Sequence, residues 1–217
     1  GVGKNLQDHV QARMLYRCTK PITLNDQVRN PLKKLKMAYD LIFKQAGPLT
    51  IGAGQVGIFV RCLSESAWPD TQFHFMPFSA DKPGEGLHSY SGFTSTVCQL
   101  RPESRGEIRL KSPLPTDAPA IFPNYFSEDI DRRVIIAALK LGKKIANTAA
   151  MTPYIDEEIA PTKDTANDSE LFNYARNAGT TVFHPVGTCK MGTKNDANSV
   201  VDNKLRVHGT KNLRVID

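Results

Sequence analysis

The stretch FHPVGTCKMG, residues 183–192, constrains the fold of this chain more than any other. Gly179 ends a helical pattern, and a short extended run then leads into His184. Pro185 disfavours the α region for the residue before it, so His184 is expected in extended backbone, and Gly187 allows a turn or a close approach. An imidazole held there can be directed at a pocket and can exchange a proton at neutral pH. The alternative is a histidine that packs in a strand-to-loop corner.

Length and charge exclude several classes of protein. A chain of 217 residues suits one domain or slightly more. Its formal net charge of +6 comes from basic residues spread along the chain, which argues against a nucleic-acid interface. The apolar runs are only a handful of residues long, so none is expected to cross a bilayer.

The cysteines indicate neither a metal site nor a disulfide framework. Cys18, Cys62, Cys98 and Cys189 are far apart in the sequence, and no C-x-x-C or Cys/His cluster is present. Reduced thiols in a cytoplasmic enzyme are the simplest interpretation.

Residues 31–46 have the pattern of a basic amphipathic helix that stops at Gly47-Pro48. Its apolar side consists of Leu32, Leu35, Tyr39, Ile42, Phe43 and Ala46. Its other side carries mainly lysines: Lys33, Lys34, Lys36 and Lys44, with Asp40. The expected arrangement is an apolar side that packs on the protein and a charged side in water. Peripheral association with an anionic membrane is the alternative.

Residues 52–57, GAGQVG, match the dinucleotide pattern G-x-G-x-x-G. That motif binds a pyrophosphate only where a strand precedes it and a helix opens at its end. Here a helix and Gly47-Pro48 come before it, and residues 56–61 have the pattern of a strand. We therefore interpret the glycines as a loop that enters a strand.

Hydrophobic periodicity predicts an α+β fold with a mainly antiparallel sheet flanked by helices. The predicted elements are a half-buried strand over 10–18, a strand over 71–78, a hairpin of 93–101 with 107–111, an extended crossing over 113–123, a helix that starts near Ser127, an irregular stretch over 153–165, and a helix capped by Asp168 or Ser169 that ends at Gly179.

Several motifs resemble those of the glucose–methanol–choline (GMC) oxidoreductases. His184–Gly192 is followed by the segments 200–202, 205–209 and 213–217, and the order matches the C-terminal signature of that family. The first nine residues, GVGKNLQDH, resemble a second motif from the middle of family members. Within the family, the chain is most similar to bacterial choline-dehydrogenase-like alcohol dehydrogenases.

The resemblance implies a fold and a domain organisation. Family members insert an antiparallel substrate-binding domain between segments of a Rossmann-like FAD domain. By that correspondence 1–14 is a segment of the FAD-binding domain, 15–182 is the substrate-binding domain, and 183–217 is the return segment of the FAD-binding domain. Both ends lie inside motifs, so the chain is expected to be part of a longer protein and to be inactive alone.

The resemblance also implies roles for individual residues. His184 matches the histidine that faces the flavin and acts on the substrate hydroxyl. Asp217 matches an aspartate close to the ribityl and phosphate region of FAD, and Asn5 is likewise assigned to cofactor binding. Asp8 and His9 are expected to be mainly structural. The second catalytic residue of the family and its N-terminal phosphate loop have no counterpart in this sequence.

The function implied is FAD-dependent oxidation of an alcohol to the aldehyde, with hydride transfer to flavin and His184 as proton acceptor. The alcohol is choline-like or another primary alcohol, and the electron acceptor is a quinone or oxygen. For a quaternary ammonium group, Trp68, Tyr90 and the phenylalanines are candidate aromatic contacts. Two alternatives remain open: a lyase that cleaves cyanohydrins on the same scaffold, and a non-catalytic substrate-domain module.

Overall fold

The computed structural model describes residues 1–82, 84–162, 165 and 167–216. The chain forms two compact units, each built from separate stretches of sequence. Unit 1 comprises Gly1–Val10, Arg101–Arg132 and Thr181–Asp217, and unit 2 comprises Gln11–Leu100 and Arg133–Thr180. Residues 101–132 thus cluster with both terminal segments, although the sequence-based division places them in the substrate-binding domain. Which unit belongs to the FAD side stays a prediction.

The described residues form eight strands and four α-helices. The strands are β1 Val10–Cys18, β2 Val56–Val60, β3 Thr71–Met76, β4 Gly92–Gln99, β5 Glu107–Arg109, β6 Ala120–Phe122, β7 Ile155–Ala160 and β8 Thr180–Thr181. The helices are α1 Leu24–Arg29, α2 Pro31–Lys44, α3 Asp129–Ala146 and α4 Asp168–Ala178, with 3-10 turns at Pro48–Thr50 and Thr152–Tyr154. This mixture confirms the predicted α+β class.

Unit 2 is organised around a sheet in the order β2-β3-β4-β1-β7, whose neighbouring strands are antiparallel. Helix α3 covers this sheet closely: a Cβ added at Gly142 would lie 2.3 Å from the Cε of Met14 in β1. Met14, Val97 and Leu139 are completely buried, and Phe73 is nearly so. The hydrophobic core of unit 2 therefore lies between the sheet and α3.

Strand β1 has the predicted bounds, but the prediction that it is half-buried is wrong. It is a central strand, and its polar side is covered as well. Arg13 is 7% exposed, and its guanidinium donates to the carbonyl oxygens of Ala80 and Asp81 at 3.2 and 3.3 Å. The alternating pattern does not predict this burial, because carbonyl groups of residues 80 and 81 accept hydrogen bonds from both terminal nitrogens of the buried guanidinium.

The hairpin predicted for 93–101 with 107–111 does not form. Strand β4 pairs with β1 and β3, whereas β5 pairs with β6, which lies in the segment predicted to be an extended crossing. In the segment that connects β4 with β5, the N–H groups of Glu103 and Ser104 donate to the carboxylate of Asp131, in the first turn of α3, at 2.9 and 2.8 Å.

The stretch 153–165, predicted to be irregular, contains strand β7. Its sequence IDEEIA carries three consecutive acidic residues, so no alternation marks it as a strand. It is nevertheless paired with β1, with two shifts of register. The helix that follows is capped by Asn167, whose Oδ1 accepts the N–H of Glu170 at 3.0 Å. The prediction that Asp168 or Ser169 caps this helix is therefore wrong.

Helix α2 has its apolar side in solvent. Five side chains that share this side, which we call the α2 stripe, are 51–78% exposed: Leu32, Leu35, Tyr39, Ile42 and Phe43. The buried residue of the helix is Met37, on the other side. Within this chain, the expectation that the apolar side packs on the protein is therefore not met. No helix among the described residues has the length and apolar character needed to cross a membrane.

The glycine-rich loop at 52–57 leads directly into β2, as predicted, and no helix follows it. Gly52, Gly54 and Gly57 all have ordinary negative φ angles, so a side chain would not strain the backbone there. A Cβ at Gly54 would meet His74 at 3.5 Å, which is normal contact. These glycines therefore satisfy none of the requirements of a phosphate-binding turn.

We expect Gly54→Ala in the full-length protein to leave the FAD content unchanged, because no phosphate needs to approach the backbone at this loop. The free energy of unfolding should change by less than about 0.5 kcal/mol, as is usual for a tolerated surface substitution. The measurement is the flavin-to-protein absorbance ratio of the purified variant. Loss of flavin from a folded Gly54→Ala protein would restore the cofactor-loop interpretation.

Candidate functional site

The N-terminal motif and the C-terminal signature are paired through their backbones in unit 1. Gln7 and Val186 exchange two N–H to carbonyl hydrogen bonds at 2.9 and 2.8 Å, and the N–H of Val182 donates to the carbonyl of His9 at 2.9 Å. These bonds hold the chain on both sides of His184. The backbone of the predicted catalytic residue is therefore fixed by the motif at the other end of the sequence.

Gly187 is the position where this pairing requires a glycine. Its φ is +95°, and an added Cβ would lie 2.4 Å from the backbone oxygen of Asn5. Asn5 itself has a left-handed φ of 60°, and its Nδ2 donates to the carbonyl of Gly187 at 3.3 Å. The side chain of Asn5 thus helps to fasten the two motifs together, and its assignment to cofactor binding stays a prediction.

The backbone just before His184 differs from the predicted extended run. Phe183 has a φ of +63°, which is unusual for a bulky residue. Its N–H donates to the Oγ1 of Thr181 at 2.8 Å, so a side-chain bond supports the turn. The side chain of Phe183 is 76% exposed, and His184 beside it is also exposed. The turn therefore presents the imidazole at the surface of unit 1.

The carboxylate of Asp8 is the centre of this arrangement. Its Oδ1 accepts the N–H of His9 at 2.9 Å and that of His184 at 3.0 Å. Its Oδ2 accepts the hydroxyl hydrogens of Thr181 and Tyr125, both at 2.5 Å. One side chain thus binds residues from all three stretches of unit 1. Asp8, expected to be mainly structural, is directly bonded to the backbone of the predicted catalytic histidine.

The phenol of Tyr125 is kept in its neutral, donating form. Burial and its hydrogen bond to Asp8 raise the pKa of Tyr125 to about 12. At neutral pH the hydroxyl therefore keeps its proton and donates to the carboxylate. Sequence reasoning did not select Tyr125, because it is 117 residues from Asp8 and belongs to neither motif.

Two further histidines lie in unit 1 with different surroundings. The ring of His9 meets that of His184 edge-on, with centroids 5.7 Å apart. His208 has its Nε2 3.1 Å from the carbonyl oxygen of Gly192, which suits a structural role within the signature. The sequence already pointed to His9, because it follows Asp8 in the N-terminal motif.

The remaining expectations concern Asp217, the cysteines and a metal site. Asp217, predicted to bind the cofactor, is not among the described residues. All four cysteines are free, and His, Cys, Asp and Glu side chains in the described ranges form no cluster suited to a metal ion. A cavity of about 750 Å³ in unit 1 lies beside β5 and β6, and its lining includes none of the residues bound to Asp8.

Comparison with known proteins identifies relatives over the whole chain. A family model described as GMC oxidoreductase matches residues 102–217. The chain is 38% identical to an oxygen-dependent choline dehydrogenase of Proteus mirabilis, over all of its own length and 39% of that protein. It is 36% identical to oxygen-dependent choline dehydrogenase 1 of Chromohalobacter salexigens, with the same shares covered. The chain thus spans about two fifths of the length of the curated relatives it matches.

Solved structures share the fold. A formate oxidase superposes with a TM-score of 0.86 at 24% identity, over all of this chain and 42% of that one. Pyridoxine 4-oxidase from Mesorbium loti gives a TM-score of 0.76 at 23% identity, over all of this chain and 38% of that one. The two motifs that are paired in unit 1 are also the ones that resemble this family in sequence. Because the family model covers more than half of the sequence, the chain belongs to the GMC oxidoreductases.

Proposed function

We propose that this chain is the substrate-side and C-terminal part of an FAD-dependent enzyme that oxidises an alcohol to the aldehyde. The observation that carries the proposal is the position of His184. Its ring is exposed at the surface of unit 1, while its backbone is held by Asp8 and by the pairing of the two motifs. A base that is both accessible and fixed is what removal of a hydroxyl proton requires.

The residues near His184 in the sequence suit the flat isoalloxazine ring of FAD. Phe183 and Val186 are 76% and 55% exposed, and Met191 further along the signature is 52% exposed. Exposed apolar side chains beside a fixed imidazole suit contact with an aromatic ring system. Relatives in fold support the identity of the cofactor, since the structures include an FAD-dependent oxidoreductase from Chaetomium thermophilum.

The chemistry divides between the cofactor and the protein. FAD, when bound, supplies the acceptor for the hydride from the carbinol carbon, which side chains cannot supply. His184 accepts the proton of the substrate hydroxyl, so that the C–O bond becomes a carbonyl as the hydride leaves. Asp8 acts on the backbone of His184 and holds the ring in place. Asn5 and Asp217 are proposed to contact the cofactor, in line with their motifs.

The substrate and the electron acceptor are proposed from the relatives. Proteins named oxygen-dependent choline dehydrogenase share 36–38% of the sequence, which favours a choline-like alcohol and oxygen. Quinone is the alternative acceptor. Of the candidate aromatic contacts in unit 2, Trp68 is 68% exposed, whereas the ring of Tyr90 is already engaged by His88 and by the guanidinium of Arg17, each at 4.7 Å. Trp68 is therefore the better candidate for a cationic substrate. We also propose that the enzyme works in the cytoplasm.

Anaerobic mixing of the full-length protein with choline tests the reaction class. We expect the yellow flavin absorbance to bleach, because the two electrons of the alcohol stay on the cofactor when no acceptor is present. One equivalent of aldehyde per flavin should form in this step, and admission of oxygen should then restore the colour as the two electrons pass to oxygen and give hydrogen peroxide. A series of primary alcohols serves as control for the substrate. A purified protein that holds no flavin, or whose flavin is not reduced by any alcohol, would contradict the proposal.

A further inference from the structure

The side chain of His184 is fixed where it joins the backbone, but its ring is not fixed by hydrogen bonds. The backbone N–H donates to the carboxylate of Asp8, whereas the ring forms no hydrogen bond with the part of the chain that the structure describes. Because the side chain is exposed, it can change rotamer unless a neighbour limits it. A base that turns freely is seldom in the geometry that proton transfer requires. A contact that orients this ring therefore affects the rate.

The ring of His9 makes such a contact. The planes of the His9 and His184 rings are inclined at 68°, and at a centroid distance of 5.7 Å this is one of the two arrangements that aromatic pairs prefer. An edge-on contact favours one relative orientation of the two rings. It covers one side of a ring that is otherwise exposed, so the imidazole stays accessible while its orientation is limited.

The backbone of His9 is held on both sides of its side chain. Its N–H donates to the Oδ1 of Asp8 at 2.9 Å, and the same oxygen accepts the N–H of His184 at 3.0 Å. Its carbonyl oxygen accepts the N–H of Val182 at 2.9 Å. The side chain of His9 is partly buried, whereas that of His184 is exposed. The more firmly held of the two rings is therefore the one that can orient the other.

We propose that His9 is a positioning residue for the reaction, whose ring holds the imidazole of His184 in the orientation that accepts the substrate proton. This inference rests on the proposed function, in which His184 is the base. Asp8 then fixes the backbone of the base, and the neighbouring His9 limits the rotation of its ring. The N-terminal motif thus has two separate effects on the same catalytic side chain.

The contact between the two rings favours positioning over transfer of a proton from one histidine to the other. A direct transfer requires a hydrogen bond between ring nitrogens. The ring of His184 forms no such bond with His9, and the two rings meet edge-on. The shape of the His9 ring is therefore what matters for this role, and its nitrogens are not required. This distinction separates the expected behaviour of a phenylalanine at position 9 from that of an alanine.

A double-mutant cycle in the full-length flavoprotein tests the inference. His9→Ala should lower kcat about tenfold, because the ring of His184 then samples more orientations. KM should change by less than about twofold, since His9 is not proposed to bind the substrate. In the His184→Ala background, His9→Ala should change kcat by less than about twofold, because no ring is left to orient. All rates are to be compared per bound flavin, together with the thermal unfolding of each variant.

His9→Phe is the conservative variant, because it keeps a flat ring at position 9 and removes the nitrogens. It should retain kcat within about threefold of the wild type. The rise of its rate with pH should be unchanged, because His184 is still the base. If His9→Ala does not fold, His9→Leu supplies the comparison, since it fills similar space without a ring and should show the same loss of kcat.

Several results would overturn the inference. Normal kcat in His9→Ala or His9→Leu would show that the ring orients nothing. An equal loss from His9→Ala in the wild-type and His184→Ala backgrounds would show that His9 acts independently of His184. A His9→Phe protein as slow as His9→Ala would assign the effect to the nitrogens. Failure of the proposed base is a different result, because His184→Ala would then turn over alcohol at nearly the wild-type rate.

Discussion

Replacement of His184 by alanine in the full-length flavoprotein is expected to lower kcat/KM by about 10²–10⁴-fold, the usual contribution of a positioned acid or base. The flavin should stay bound, because the ring is proposed to act on the substrate and its backbone bonds do not depend on the side chain. The N–H of His184 still donates to Asp8, and the neighbouring Gln7–Val186 pairing still holds the turn. Steady-state rates on a flavin-matched basis provide the measurement.

Two controls separate a chemical role from a structural one. His208→Ala removes a histidine of the same signature whose ring bonds the carbonyl of Gly192, so it should cost about 1 kcal/mol of stability and leave kcat/KM within a few fold. The wild-type rate should rise with pH through one ionisation, and His184→Ala should lose that dependence. Turnover by His184→Ala within a few fold of the wild type would show that the assignment of the base is wrong.

The second large effect is expected at Asp8. Asp8→Ala removes the acceptor of four donors, so the free energy of unfolding should fall by about 2–3 kcal/mol. In the protein that remains folded, kcat should also fall by about 10–100-fold, since a small displacement of a catalytic group is costly. Turnover is to be measured at low temperature, where the variant is folded, and thermal unfolding is to be measured on the same preparation. A less stable protein with normal kcat would restrict Asp8 to a structural role.

Substitutions that keep part of the Asp8 arrangement sharpen this comparison. Asp8→Asn retains Oδ1 for the amides of His9 and His184, while its new amide group can donate to the hydroxyls of Thr181 and Tyr125. We expect it to lose about 1 kcal/mol of stability and only a few fold in kcat. Tyr125→Phe removes one donor and should affect stability alone. If Tyr125→Phe lowers kcat as strongly as Asp8→Ala, the effect of Asp8 on kcat does not arise from its bond to His184.

Local sequence signals predicted the elements that depend on local physics. The bounds of β1 agree with its alternation, and the helix predicted to start near Ser127 begins at Asp129, an acidic residue that suits a helix N-terminus. The strand after residue 55 was predictable from the pattern of residues 56–61. The helix and the Gly47-Pro48 pair that precede the glycines exclude the strand–loop–helix context of a cofactor loop. In each of these cases, a few neighbouring residues determine the outcome.

The failures concern interactions between distant residues. β5 pairs with β6 and not with β4, and the segment before β5 is bound through Glu103 and Ser104 to the carboxylate of Asp131, 28 and 27 residues later in the chain. β7 has an acidic sequence and is a strand because β1 offers it an edge. Periodicity likewise shows that α2 has two unlike sides, but it cannot indicate which side the rest of the molecule covers. The candidate site could not be predicted for the same reason, because Tyr125 and Asp8 are 117 residues apart in the sequence and come together only in the folded chain.

The single carboxylate that joins three stretches of unit 1 has a consequence for biosynthesis. Asp8 is made within the first residues of this chain, its bond to Tyr125 spans 117 residues, and its bond to His184 spans 176. Because contacts between distant residues form late and close large loops, the imidazole cannot be held in place until nearly all of the chain has left the ribosome. Unit 2 can gain its own sheet and core before that point. A product that ends just before residue 184 therefore contains the stretches of unit 2 but lacks the histidine that is proposed as the proton acceptor.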